Sequence, residues 1–312
     1  MTTGHLPLTS RPTAPTSPHR GARRGLGVLA ALILLGGCAT TPPAGGPAPS
    51  APVSSPSTEP AASATATSSP SPSATPTTPP DPLAHLSKAK RKQYKACLPK
   101  TLRAGSSGSC VTLLQAELKK AGFYPWGKSR YVTVAGANAI LNYQRSRGLA
   151  ADGWVGKDTW LALATKAPTV SKELPQTCYT KGVVLCVDQA HRTLTWLRNG
   201  KVVKKFKVRL GGYAQHAKTH IWRNFPTANG TWKVYDKQVN PASENYGSGA
   251  MPYSTMFYPD MYVHYSPGFN RQGYSQSSHG CVNIRKRSDA IWIFKNTPIG
   301  AKVHIFSTKA TV

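Results

Sequence analysis

The residues best suited to chemistry lie near the end of the chain, where residues 278–285 read Ser-His-Gly-Cys-Val-Asn-Ile-Arg. A free cysteine has a pKa near 8.5 and is only a few per cent thiolate at neutral pH. A nucleophilic Cys281 therefore needs a neighbouring imidazole or cation. Two imidazoles are candidates: His279, two residues away, and His264, seventeen residues earlier. The pattern predicts a thiol nucleophile with a histidine base.

The six cysteines indicate which thiol is available. In an oxidising exterior most cysteines pair. Cys97 and Cys110 flank the start of a helical segment. Cys178 and Cys186 flank the entry into the first strand of a later segment that is rich in predicted strands. Four cysteines allow three pairings, and we favour the local one, Cys97 with Cys110 and Cys178 with Cys186, because it closes short loops. That pairing leaves Cys281 unpaired.

The secondary structure that positions Cys281 and its two histidines is predicted to be mostly β-strand. Residues 183–187 form an apolar run, and alternating segments at 193–197 and 202–210 flank Asn199-Gly200, a dipeptide that favours a type I′ hairpin turn. Further strands are predicted at 231–235, 261–264 and 302–306. One helix is predicted with Ser288 as its N-cap, with Ile291, Trp292 and Phe294 facing inward. The segment is therefore mostly β.

This region resembles the L,D-transpeptidase catalytic domain of the YkuD type. The resemblance rests on the Ser-His-Gly-Cys block followed by an apolar residue and Asn, and on a preceding strand that ends in His. It extends to Pro226-Thr227 with Gly230-Thr231, and to Met251-Pro252-Tyr253. It implies a β-sandwich with one or two short helices over residues 178–307. The chain departs from the family pattern at Tyr265, where Gly or Ser is frequent, and at Ala228-Asn229, where a Pro is expected.

The resemblance also implies roles for individual residues. Cys281 would be the nucleophile and His264 the general base, oriented by the backbone carbonyl of Tyr265. His279 would shape the oxyanion site with the amides of Gly280 and Cys281. Asn283 and Arg285 would hold the loop or the peptide carboxylates. The full oxyanion and substrate-binding set is Gly280, Ser278, Asn283, Arg285, Tyr253 and Tyr265.

The implied activity is peptidoglycan cross-linking. Cys281 would form a thioester with a donor stem peptide, release D-alanine and pass the acyl group to an acceptor amine. No cofactor is implied, and a carbapenem is expected to acylate the same thiol. Two alternatives stay open: an L,D-carboxypeptidase-type enzyme that trims stem peptides, and a non-catalytic wall-binding lipoprotein.

A helical segment precedes the β region. Val111, Leu114 and Leu118 recur on one helical face, and Ala139, Ile140 and Tyr143 on another. Leu114-Gln115, Tyr143-Gln144 and Gly148-Leu149 resemble the pattern of a small three-helix peptidoglycan-binding domain, which we assign to residues 97–165. The predicted fold class is thus multi-domain: this small helical domain, then the mostly-β domain.

The N-terminal residues predict export. Residues 1–24 contain arginines and no acid, and ten largely apolar residues follow at 26–35. This is typical of a secretory signal peptide and too short to span a bilayer. Leu35-Gly36-Gly37-Cys38 resembles a bacterial lipobox, so we predict a signal over residues 1–38, lipidation of Cys38, and a lipid-anchored protein outside the plasma membrane. Residues 39–82, rich in Ala, Pro, Ser and Thr, predict a disordered linker.

Composition excludes several other classes. Thirty-nine Lys and Arg against eleven Asp and Glu give a net charge of +28, which favours an anionic partner. Because the chain is predicted to be exported, we expect wall and membrane rather than nucleic acid. His191, His216, His220 and His304 lack a ligand cluster, so no metal is expected. The three serine motifs of penicillin-binding enzymes do not occur together, and no carboxylate pair suits a glycosidase.

Overall fold

A computed structural model describes residues 80–243 and 245–307. The predicted signal, lipobox and most of the predicted linker lie outside the described residues. Within this part of the chain, no helix is long and apolar enough to cross a membrane. The described residues all belong to one compact unit by their internal contacts.

Four helices come first, and we call residues 88–164 the helical unit. They are α1 (Lys88–Cys97), α2 (Ser109–Lys120), α3 (Val134–Ser146) and α4 (Lys157–Ala164). The hydroxyl of Thr133 accepts from the Gly136 amide and begins α3. Val111, Leu114 and Ile140 are at most 1 % exposed, so the predicted apolar faces form the core. The helix α1 lies ahead of the three that the sequence pattern indicated, and the Cys97–Cys110 disulfide links it to α2.

The β domain (residues 176–306) contains eleven strands and two helices. The strands are β1 (Val183–Asp188), β2 (Thr193–Arg198), β3 (Lys201–Arg209), β4 (Tyr213–Gln215), β5 (Trp222–Asn224), β6 (Gly230–Lys233), β7 (Asp236–Gln238), β8 (Ser254–Tyr258), β9 (Met261–Tyr265), β10 (Val282–Ile284) and β11 (Lys302–Phe306). The helices are α5 (Pro267–Gln272) and α6 (Arg287–Asn296). Short 3-10 turns lie at Gln176–Cys178 and Gly273–Ser275.

Nine of these strands form one mixed sheet in the order β6-β11-β1-β2-β3-β10-β9-β8-β7. The sheet curls, so that strands from both halves pack around one apolar core that includes Trp196, Val208, Val263 and Ile305. The mostly-β prediction is confirmed. We describe a single curled sheet, and the sandwich arrangement stays a prediction.

The hairpin between β2 and β3 turns at Asn199-Gly200, whose φ angles are +51° and +73°. Both positive values match the type I′ turn that the dipeptide predicted. The helix α6 differs from its prediction at the start. It begins at Arg287 after Lys286, with no side-chain cap, so Ser288 is its second residue and not its N-cap. Ala290 and Ile293 are its buried residues, whereas Ile291, Trp292 and Phe294 are only partly buried.

The helical unit packs against the two-stranded β4–β5 hairpin. The side chain of Asn138 in α3 accepts from the Tyr213 amide at 3.0 Å and donates to the Tyr213 carbonyl at 3.1 Å. The Arg145 guanidinium, also in α3, donates to the Gly211 carbonyl at 2.8 Å. Asn138 is 2 % exposed, so these hydrogen bonds are buried. Helix α3 therefore holds the start of the hairpin by its backbone.

We predict that Asn138→Ala lowers the free energy of unfolding by about 1–3 kcal/mol, because the Tyr213 amide loses its acceptor and the Tyr213 carbonyl keeps only the hydrogen bond from Ser277. Urea unfolding followed by circular dichroism measures the change. Asn270→Ala, at an exposed position of α5, is the matched control and should change stability little. Equal stability of the Asn138→Ala protein and the parent would contradict this account.

Candidate active site

Two neighbouring parallel strands bring the predicted site residues together. In the register of β9 with β10, Asn283 pairs with His264, so their side chains leave the same face of the sheet. Cys281 comes directly before β10. His264 is 5 % exposed and Cys281 8 %. The histidine and the thiol, seventeen residues apart in sequence, thus lie at one buried end of this strand pair.

A buried arginine orders the hydrogen bonds behind His264. Arg209 at the end of β3 donates from Nε and Nη2 to Oδ1 of Asn283, at 3.1 and 2.9 Å. Because a guanidinium only donates, the amide must present its oxygen to Arg209 and its nitrogen to the other side. That nitrogen donates to Nε2 of His264 at 2.8 Å. Arg209 therefore fixes the orientation of the Asn283 amide.

The same network determines the tautomer of His264. Nε2 accepts from Asn283, so the ring proton is on Nδ1, which donates to the Tyr265 carbonyl at 2.7 Å. Burial lowers the pKa of His264 to about 4, and only the Tyr265 carbonyl acts in the opposite direction. The imidazole is therefore neutral at pH 7, with a lone pair on Nε2.

The thiol of Cys281 is also neutral in this resting arrangement. Burial, with a smaller contribution in the same direction from the Asp260 carboxylate, raises the pKa of the thiol to about 11. Its sulfur lies 3.8 Å from the Asp260 carbonyl oxygen, to which the S–H group donates. The free protein therefore holds an uncharged thiol and an uncharged imidazole, and not a thiolate–imidazolium pair.

The loop before Cys281 is closed by one hydroxyl. Ser278 Oγ accepts from the Gly280 amide at 3.2 Å and donates to the Cys281 carbonyl at 2.6 Å. Gly280 has φ +116°, and a Cβ there would lie 2.8 Å from Cε of Met261. Glycine is required for this backbone conformation. The amide of Gly280, which the sequence assigned to the oxyanion site, is occupied by Ser278 in this state.

His279 is held from outside the loop. Its Nε2 donates to the Gln215 carbonyl of β4 at 2.7 Å, and its ring packs between Phe225 and Tyr246. Burial lowers its pKa, so this ring too is neutral near pH 7. The β4–β5 hairpin therefore sets the position of the second imidazole.

Two cavities meet at the thiol. One, of about 250 Å³, is lined by Arg209, His264, Ser266 and Asn283 among others. The second, of about 400 Å³, extends past His216, Phe225, Asp260 and Tyr262. Both are lined by Tyr246, Met251, His279 and Cys281. A molecule could approach Cys281 from either side.

Four residues of the predicted set, Gly280, Tyr253, Tyr265 and Arg285, lie outside both cavities. Arg285 is exposed. Tyr253 packs its ring on Phe294 and accepts a hydrogen bond from Arg287, and Tyr265 contributes its backbone carbonyl to His264. Asn283 lines the smaller cavity, but its amide nitrogen is already donated to His264. The structure offers Arg209, Tyr246 and Met251 instead, which sequence reasoning missed. Only Arg209 gave a signal, as a cation inside the apolar run Val-Arg-Leu at 208–210.

The disulfides in the described residues join Cys97 to Cys110 and Cys178 to Cys186, and Cys281 is the free cysteine. No group of three or more His, Cys, Asp or Glu side chains in this part of the chain could hold a metal ion. A nucleophilic sulfur with a neutral base nearby is the chemistry that the site can offer.

In a comparison with known protein families, residues 182–305 match the model of the L,D-transpeptidase catalytic domain, YkuD. Residues 182–305 are an L,D-transpeptidase catalytic domain of the YkuD type. Residues 107–163 match the model of a peptidoglycan-binding domain, which therefore precedes the L,D-transpeptidase domain. The family resemblance that the sequence motifs indicated is confirmed.

Solved structures with similarity to this chain include two L,D-transpeptidases from other bacteria. The one from Xylanimonas cellulosilytica is 24 % identical, covers 67 % of this chain and 98 % of its own, and has a TM-score of 0.36. The one from Stackebrandtia nassauensis is 25 % identical, with 67 % and 96 % covered and a TM-score of 0.37. An L,D-transpeptidase in complex with imipenem is 22 % identical, with 40 % and 59 % covered and a TM-score of 0.30. Comparison with curated proteins gave no match.

We predict that alkylation of Cys281 by iodoacetamide accelerates about tenfold per pH unit from pH 7 to 10 without a plateau, because only the thiolate reacts and the raised pKa keeps the sulfur protonated. Mass spectrometry of the peptide that contains Cys281 measures the rate. The urea-unfolded chain is the control and should reach its plateau near pH 9. A plateau below pH 9 in the folded protein would contradict the buried, neutral thiol.

Proposed function

We propose that this protein is a peptidoglycan L,D-transpeptidase that uses Cys281 as its nucleophile. The single observation that carries the proposal is the unpaired Cys281 at the junction of two cavities, within a domain of the L,D-transpeptidase family. The peptidoglycan-binding match over residues 107–163 supports the wall polymer as the substrate.

In the first half-reaction the thiol attacks the carbonyl of the diamino acid that precedes D-alanine in a donor stem peptide. The thiol proton passes to Nε2 of His264, and the sulfur–carbon bond forms. For this step Nε2 must exchange the Asn283 N–H for the thiol proton. His264 then protonates the leaving amine of D-alanine, and a thioester remains on Cys281. The proton on Nδ1 stays with the Tyr265 carbonyl throughout.

In the second half-reaction an acceptor amine enters from the other cavity and attacks the thioester. Its proton passes to Nε2 of His264 and from there to the departing sulfur, so the thiol is restored and an amide cross-link is released. The two cavities that share Cys281 support transfer, because donor and acceptor can be present together. Water in place of the amine would give trimming, which is the alternative outcome.

The neutral resting state suits this chemistry. The thiol gives up its proton as the sulfur–carbon bond forms, and the imidazole can take that proton only when the imidazole is not already charged. The pKa of His264 near 4 satisfies this condition over the whole neutral range. We assign Ser278 and Gly280 to the shape of the catalytic loop and Asn283 to the orientation of His264. The Cys281 amide remains the proposed donor to the oxyanion. His279, whose single N–H is donated to the Gln215 carbonyl, shapes the wall of that site.

We propose further that residues 97–165 are a wall-binding domain and residues 178–307 the catalytic domain. An extracytoplasmic location follows from the wall substrate. The anchor at Cys38 and the linker of residues 39–82 belong to the same proposal. Two disulfides in the described part of the chain agree with an oxidising compartment.

We predict that Cys281→Ala abolishes the thioester adduct with a stem tetrapeptide, and that His264→Gln lowers kcat about 10²- to 10⁴-fold, the usual contribution of a general base. Intact-protein mass spectrometry detects the adduct, and product analysis separates the cross-linked dimer from the trimmed tripeptide. His304→Gln, on β11, is the matched histidine control and should retain activity.

Imipenem serves as a second probe of the same sulfur, and its adduct should appear on the parent and be absent from Cys281→Ala. Cross-linked product from the Cys281→Ala protein would end the assignment of the nucleophile. Tripeptide without dimer from the parent protein would replace transfer by trimming.

A further inference from the structure

A third cavity, also of about 400 Å³, lies away from the thiol, beside the contact between α3 and the β4–β5 hairpin. One wall belongs to the helical unit and includes Arg103, Asp152 and Trp154. The other belongs to the hairpin and includes Tyr213 and Trp222. We call this cavity the seam groove. Neither the helical unit nor the hairpin forms it alone.

Exposed aromatic rings form both walls. Trp154 is 49 % exposed and Trp222 41 %. Trp222 stacks on Tyr213 with ring centroids 5.6 Å apart and planes inclined by 22°, which fixes one platform. The guanidinium of Arg103 lies 5.0 Å from the ring of Trp154 and fixes the other. Exposed aromatic faces that are grouped in one concave place and rimmed by polar residues are typical of a ligand-binding groove.

Polar groups lie between the two platforms. The Asp152 carboxylate accepts from Gln144 at 2.9 Å and from the Trp154 amide at 2.8 Å, so it is held in place. Asn224 donates to the Ala151 carbonyl at 3.4 Å and connects the floor of the groove across the seam. Flat apolar faces with fixed polar groups between them suit a ligand that has apolar faces and a polar rim.

We propose that the seam groove binds the glycan strand of peptidoglycan, as a β-1,4-linked chain of N-acetylated hexosamines. This inference rests on the proposed function. A pyranose ring presents C–H groups on its faces and hydroxyl and acetamido groups on its edge, which matches Trp154 and Trp222 as platforms and Asp152 and Asn224 as polar partners. The helical wall belongs to the segment that matches a peptidoglycan-binding domain, which points to this polymer.

The hairpin connects the seam groove to the catalytic loop. Trp222 is paired with Gln215 across the hairpin, and the Gln215 carbonyl accepts from His279 at 2.7 Å. Tyr213 and Gln215 are two residues apart, or about 7 Å along the strand. A glycan held at Trp222 would therefore lie beside the entrance to the thiol, where its own stem peptides could reach Cys281.

The test uses the full chain and tetra-N-acetylchitotetraose, a soluble β-1,4-linked chain of N-acetylglucosamine without peptide. Titration calorimetry should show binding by the parent. Trp222→Ala and Trp154→Ala should each weaken it at least about tenfold, as loss of an aromatic anchor does. Tyr179→Ala, at an exposed aromatic outside the groove, is the matched control and should bind as the parent does. Circular dichroism checks that each variant is folded.

A second measurement separates this inference from the proposed function. In Trp154→Ala, whose indole lies on the helical wall away from the catalytic loop, cross-linking of intact sacculi should fall about tenfold. Consumption of soluble stem tetrapeptide, which carries no glycan, should fall far less in the same variant. No binding of the saccharide by the parent, or binding by both tryptophan variants that is as tight as the parent's, overturns the glycan groove and leaves the enzyme assignment standing. Saccharide binding without turnover of any stem peptide leaves the groove and removes the transpeptidase.

Discussion

The arrangement of the site depends on the hydrogen bonds from the Arg209 guanidinium to Oδ1 of Asn283. Arg209 is 7 % exposed, and removing its charged guanidinium from water costs free energy. The same burial lowers the pKa of Arg209 to about 10. In exchange for this desolvation, the guanidinium fixes the direction in which the Asn283 amide points. One fixed amide orients one imidazole, which keeps its lone pair on Nε2 and its proton on Nδ1, where it is donated to the Tyr265 carbonyl. Without Arg209, the amide of Asn283 could turn over and offer its oxygen to the ring.

Burial also explains how a reactive sulfur can persist outside a cell. An exposed thiolate would be oxidised or would exchange with disulfides, since both reactions proceed through the anion. Cys281 is 8 % exposed and its pKa is raised to about 11, so little thiolate forms at neutral pH. In the proposed reaction the proton leaves the sulfur when a substrate carbonyl and the neutral imidazole are both in place. Selectivity for the substrate and protection of the thiol thus have the same physical cause.

The sequence predicted the elements whose signals are local. The Asn199-Gly200 turn, the apolar face of α2 and the free Cys281 depend on neighbours a few residues away or on counting. Arg209, Tyr246 and Met251 reach the site through strand order and loop placement, which connect residues up to 74 positions apart, as in the Arg209–Asn283 bond. The start of α6 was misjudged for a related reason. Ser288 is a good capping residue, but the helix begins at Arg287, so its N-cap is Lys286, two residues before the predicted one. This start places Ala290 and Ile293 in the core.

Two consecutive glycines make the helical unit part of the catalytic architecture. A Cβ at Gly211 would lie 2.0 Å from the Phe225 carbonyl oxygen, and one at Gly212 would lie 2.6 Å from Oδ1 of Asn138. The backbone therefore passes between hairpin and helix with no room for a side chain. At the same point Gly211 bridges to Ser278, the residue that closes the loop before Cys281. Because α3 holds this backbone through Asn138 and Arg145, a displacement of the helical unit would act on the catalytic loop directly. A unit that served only as a tether would not require such close packing, so the proposed wall binding and the proposed acyl transfer share this contact between helix and hairpin.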